Sequence, residues 1–170
     1  MRLAPPLSGC LAVLLLCGCA GYRLGPTNGM EAGARTIQIQ PFANETFEPR
    51  LGDALTTALR RSIQNDGTFR LATHGEPDVI VSGTITRYTR AELSLVPQDV
   101  LTVRDFRVVA QAQITAREAG TGRILLDRPV TGSALVRVGS DLASGERQAL
   151  PLLAQDLAGK VTALLVDGTW

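Results

Sequence analysis

Polar and apolar residues alternate along Thr36-Ile37-Gln38-Ile39-Gln40 and stop at Pro41, the period of a half-buried β-strand. After the turn-like Asn44-Glu45-Thr46, the period lengthens. Leu51, Leu55, Leu59 and Ile63 recur at helical spacing with Ala54, Ala58 and Ser62 beside them, and Pro49 suits an early helical position. Arg50, Asp53, Thr57, Arg60, Arg61 and Gln64 fall on the opposite, solvated face, and Asp66-Gly67 provides a left-handed C-terminal cap.

Phe69-Arg70-Leu71 leads through His74-Gly75-Glu76-Pro77 to a second strand, Val79 to Tyr88. Its apolar face, Val79, Val81 and Ile85, has a gap at Gly83 that predicts close approach by another backbone, here the first helix. Beyond Pro97-Gln98-Asp99 an extended stretch runs from Val100 to Glu118. Its apolar positions are odd at Leu101 and Val103 but even from Phe106 to Ala116, so a bulge or bend is expected near Arg104-Asp105. Glu118-Ala119-Gly120-Thr121-Gly122 has hairpin chemistry, and Arg123 to Val138 returns as a fourth strand whose Pro129 marks it as an edge.

A final stripe, Leu150, Leu153, Ala154, Leu157, Val161, Leu164 and Leu165, lies opposite Gln155, Asp156, Lys160 and Thr162. This second helix opens either at Pro151 or near Ser144 with Pro151 as a kink. Together these elements predict an α+β fold: a two-layer domain with a four-stranded mixed sheet and two helices on one face, in the order β-α-β-β-β-α.

The N-terminus has a different character. Arg2, the run Leu11 to Leu16 and the small residue Gly18 form the positive start, apolar stretch and cleavage site of a signal peptide. Six core apolar residues are too few for a membrane helix, which needs about 20. Leu16-Cys17-Gly18-Cys19 resembles a lipobox, and that resemblance assigns the lipid-bearing cysteine to Cys19. Cys17 follows Leu16 rather than a small residue, and Cys10 lacks an apolar run upstream. The expected organisation is a signal peptide over 1–18, a lipidated Gly-rich tether over 19–35 and one folded domain over 36–170. No thiol is then left for a disulfide, and about 150 residues suffice for a self-supporting core.

Composition narrows function by exclusion. The formal net charge of +1 falls to about zero when Arg2 is removed, which leaves no general field for nucleic acid. Aromatic residues at 4% also make a base-stacking surface improbable. His74, the only histidine, lies in a loop, so histidine-based zinc chemistry is nearly excluded. Asp53, Asp66 and Asp78 lack the spacing of paired catalytic acids, and Gly120-Thr121-Gly122 joins strands rather than opening a helix over a phosphate. No enzyme is indicated. Lys160 is the one lysine among 17 basic residues, so forked guanidinium donors predominate, although genomic base composition produces the same bias. Arg87 and Arg90 flank Tyr88 and Thr89 where the second strand runs out, and Arg137 lies near the end of the fourth. They could gather at one rim and grip phosphate, or else pair with Glu92 and Asp141 or remain solvated.

Gly21-Tyr22-Arg23-Leu24 close behind the candidate lipidated cysteine, the stretch Ile37 to Thr46 with its Pro41-Phe42-Ala43-Asn44, the helix Leu51 to Asp66, and Pro77 to Thr86 are similar in order and spacing to the LptE family of lipopolysaccharide-assembly lipoproteins. The closing helix also fits. The resemblance implies a non-enzymatic lipoprotein on the periplasmic side of the outer membrane, with no cofactor beyond the covalent lipid on Cys19. It further implies two partners, a large LptD β-barrel that the protein plugs and helps to assemble, and lipopolysaccharide, for which Arg87, Arg90 and Arg137 are the candidate contacts. The alternative is another periplasmic lipoprotein adaptor with a similar first strand and helix, an activator of a penicillin-binding protein or a curli-type secretion lipoprotein. A periplasmic hydrolase is a minor third.

Overall fold

The computed structural model describes residues 32–96, 99–137 and 142–168; Cys19 and residues 20–31 of the expected tether lie outside them, while at its end Gly33 N–H donates to Thr68 O at 3.0 Å and Arg35 opens the first strand. Its elements are β1 (Arg35–Ile39), β2 (Ala43–Asn44), α1 (Leu51–Asp66), β3 (Phe69–Leu71), β4 (Val79–Val96), β5 (Asp99–Glu118), β6 (Ile124–Arg137) and α2 (Leu142–Asp167). The α+β class and the two helices over a mixed sheet are as expected. The sheet, however, has six strands rather than four, in the order β3-β1-β4-β5-β6 with β2 paired to β4. The two additional strands are three and two residues long, too short to carry a period of their own.

β1 pairs parallel to both β3 and β4, and α1 makes the crossover that a parallel β1–β3 pair requires. Leu51, Leu55, Leu59 and Ile63 are fully buried against this part of the sheet. Gly67 ends α1 at φ 77° with its N–H donating to Ile63 O at 3.1 Å, while Pro49 lies just before the helix rather than within it. The gap at Gly83 is filled by a ring, not by α1. A Cβ there would lie 2.6 Å from Phe42 Cε1 and 2.5 Å from Gln113 O. Phe42 is held from its other side too, since its N–H donates to Thr56 Oγ1 at 3.1 Å and that hydroxyl donates to Gly52 O at 2.8 Å.

β4, β5 and β6 form an antiparallel meander longer than the rest of the sheet. The pairing skips Arg104, passing from Ser94↔Asp105 to Leu95↔Val103, where the apolar phase of the sequence breaks. Another of the four shifts in this pairing lies where no break was expected: Ile85 faces Ala112 and Arg87 faces Gln111, so Thr86 is the extra residue of a bulge. β6 is an edge, as Pro129 indicates, and the turn before it closes with Gly122 N–H to Glu118 O at 2.8 Å.

Helix α2 begins well before Pro151, which lies inside it. Ser144–Asp167 has the length and mean hydropathy, 1.4, to cross a membrane, but 56% of its most apolar stretch is buried within the fold, as in a core helix. Leu157 sits on Gly132 of β6, where an added Cβ would collide with the Leu157 side chain. Thr162, expected on the solvated face, is instead buried between the helices and donates to Ser62 Oγ at 2.7 Å.

Candidate functional site

The Thr86 bulge decides where the candidate arginines go. Upstream of it, Val79, Val81 and Ile85 face the helices; downstream, Tyr88 lies opposite buried Ala110 and Arg90 opposite buried Val108, so the helix-facing set has moved from odd to even positions. Arg87 and Arg90 therefore lie on opposite faces of the sheet.

Arg90 faces the start of α2. Its Nη2 donates to Glu146 Oε2 at 3.0 Å and its Nε pairs with the other carboxylate oxygen. The Glu146 side chain is only 16% exposed, so this pair is partly shielded from solvent and pins the first turns of α2 over the sheet. Next to it the Tyr88 hydroxyl is buried without a hydrogen-bond partner. Burial pushes this phenol's pKa above its usual value, the Glu146 charge adds to the effect, and Arg90 opposes it.

Arg87 is exposed on the face away from the helices, opposite Gln111. Exposed Arg107, which sequence reasoning did not single out, faces the same way opposite Ala91. Its signal was available, since it stands out of phase with buried Phe106 and Val108. Arg137 pairs in register with Asp105, and its side chain lies outside the described set. Arg87 and Arg107 are about 14 Å apart along the strands, at about 3.4 Å per residue over the four residues from Gln111 to Arg107. The surface between and below them carries polar Gln111, Gln113, Thr115, Ser82, Thr84, Thr131 and Ser133, together with exposed Leu135 and with Asp127, whose Oδ1 accepts from Gln113 Nε2 at 2.5 Å.

At the β6 edge, two polar side chains of α2 reach backbone groups that no strand takes up. Asp156 Oδ2 accepts from Ser133 N–H at 2.8 Å, and Lys160 Nζ donates to Thr131 O at 2.9 Å and to Asp156 at 2.8 Å. Partial burial pulls the Asp156 carboxyl upward, but the Lys160 ammonium and the Ser133 N–H outweigh it and hold its pKa below the usual value.

Among the described residues no group of three His, Cys, Asp or Glu side chains could hold a metal, and exposed His74 contacts only Thr73 Oγ1, at 3.1 Å. A groove of about 550 Å³ between the helices is floored by Ala54, Ala58, Ala154 and Ala158 and lined by neither histidine nor cysteine.

A search of curated proteins returned no match. Among solved structures, the chain is similar to CT253 of Chlamydia trachomatis (TM-score 0.60, 11% identity, covering 79% of this chain and 96% of that one). It is also similar to XCC0632 of Xanthomonas campestris, of family DUF330 (TM-score 0.58, 9% identity, covering 86% and 92%). At such identities these likenesses establish the fold. The family model LptE, described as lipopolysaccharide-assembly, matches residues 34–165, from the residue before β1 almost to the end of α2. The chain belongs to the LptE family.

Proposed function

We propose that this protein is a lipid-anchored, non-enzymatic component of the outer membrane that plugs an LptD-type β-barrel, supports that barrel's assembly and contacts lipopolysaccharide on its way to the cell surface. The observation that carries this reading is the family match over residues 34–165, from β1 almost to the end of α2. The chemistry of the two faces is consistent with it. Arg87 and Arg107 are exposed on the sheet face away from the helices, where a ligand's phosphates could be gripped by charge-assisted, two-pronged bonds. Arg137 joins them by register, whereas Arg90 stands on the opposite face of the sheet, paired with Glu146. Attachment through acylated Cys19 follows from the lipobox-like N-terminus, placing the domain on the periplasmic side.

Co-purification tests the reading. The full-length, processed chain, expressed with the LptD-type barrel of its own genome and extracted in mild detergent, should elute as one tight complex with that barrel. Elution alone, or with a penicillin-binding protein instead, would overturn the proposal. Within the complex, changing Arg87, Arg107 and Arg137 together to Gln should weaken lipopolysaccharide binding, and added salt should weaken the wild type in the same sense.

A further inference from the structure

One aromatic side chain has no role in the fold. Phe47, between β2 and α1, has a relative exposure of 105%, beyond that of any other large apolar residue among those described. Its turn is nevertheless firmly built. Asn44 Oδ1 accepts from Thr46 N–H at 3.0 Å and from Thr46 Oγ1 at 2.7 Å, and Asn44 Nδ2 donates to Glu48 O at 2.6 Å. Glu45 N–H ties the turn to Ile85 O of β4 at 3.0 Å, and Leu51 N–H ties it to Glu48 O at 3.2 Å. The ring is thus presented to solvent on a backbone anchored to both layers, which lowers the ordering cost of seating it in a partner.

The surrounding charge selects the partner. Exposed Glu45 and half-buried Glu48 flank the ring in sequence, Asp53 is exposed on the first turn of α1, and Arg50 is the one basic residue between Glu45 and Asp53. An acidic collar is repelled by anionic lipid and complements a pocket rimmed with Lys or Arg. We propose that Phe47 is the aromatic anchor by which this protein docks into an apolar, basic-rimmed pocket on the wall of its barrel partner. This proposal rests on the function proposed above, because the partner is that barrel.

The test uses the full-length chain co-expressed with the barrel, together with non-lipidated chain and vesicles of phosphatidylethanolamine and phosphatidylglycerol. Phe47→Ser should leave the thermal midpoint unchanged and reduce barrel retention about tenfold or more, as loss of a central aromatic anchor does. Phe47→Leu should keep most of the retention, and Glu45→Lys should reduce it. Undiminished retention of Phe47→Ser beside a wild type that binds would overturn the anchor while leaving the plug function standing; a wild type that binds no barrel would overturn both. Phe47-dependent binding of the non-lipidated chain to the vesicles, or Phe47-dependent self-association in sedimentation, would also overturn the proposal by assigning the ring to lipid or to a second copy.

Discussion

The contact between α2 and the edge strand permits a quantitative test. Leu157 is fully buried, and its side chain occupies the space above Gly132 where a β-carbon would otherwise be. Leu157→Ala removes three carbons from this site. Gly132 offers no side chain to fill the void, so the cost should fall in the upper half of the range for such deletions, about 3 to 5 kcal/mol. Gly132→Ala errs in the opposite direction: the new methyl group meets Leu157 Cγ, and such overpacking costs about 1 to 3 kcal/mol. In the double variant the Cγ is gone, but Leu157 N and Cβ remain 3.1 and 3.2 Å from the new carbon, so relief should be incomplete. The double variant should be more stable than the sum of the single losses predicts, by about 1 kcal/mol or more. Urea denaturation of the non-lipidated chain, followed by circular dichroism with constant m-values, gives all the terms. Additivity within about 0.5 kcal/mol would refute the close packing of α2 on β6.

Asp156→Ala combined with Lys160→Ala should expose backbone groups at Thr131 and Ser133 and promote edge-to-edge association, visible as a larger species in size-exclusion chromatography. Asp78 accepts from Thr36 N–H at 2.6 Å and from Thr36 Oγ1 at 2.8 Å, and these bonds hold its carboxyl below the ordinary carboxylate range. Its contribution is therefore present at neutral pH and lost on acidification below about pH 4, so Asp78→Asn should lower the neutral denaturation midpoint and flatten the acid limb. Arg90→Gln should destabilise the start of α2 through loss of the Glu146 pair, seen as faster hydrogen exchange over residues 144–150, whereas Arg87→Gln should not. Cys19→Ala in a chain given a secretory signal should be soluble in the periplasm when the barrel is absent, because multiple acyl chains are needed for stable anchoring.

Much of the fold was legible because it rests on long periodic runs. The α1 stripe, the phase break near Arg104, the Gly120–Gly122 hairpin and the edge position of β6 follow from apolar spacing and from the backbone restrictions of Gly and Pro. What escaped depends on distant contacts. β2 and β3 exist because β4 and β1 offer them partners, and Gly83 accommodates Phe42, from a segment some forty residues away. Which face each arginine takes was hidden for one local reason. The odd apolar phase of β4 ends at Ile85 and only Tyr88 resumes it at an even position, too faint a signal for the Thr86 bulge that sends Arg87 and Arg90 to opposite faces. Arg107 was hidden in a strand judged by its apolar positions, although its exposure and register place it on the Arg87 face. Thr162 bonds across to α1, which a one-helix pattern cannot reveal.

Depletion in the native cell tests the central claim most directly. With expression of this chain placed under a repressible promoter, surface lipopolysaccharide is measured by accessibility to an impermeant probe, and correctly folded LptD-type barrel is measured in the same cells. A protein that plugs and assembles that barrel predicts that both fall together as the chain is depleted, and that wild-type protein restores both. Normal surface lipopolysaccharide and normal barrel levels after complete depletion would contradict the account.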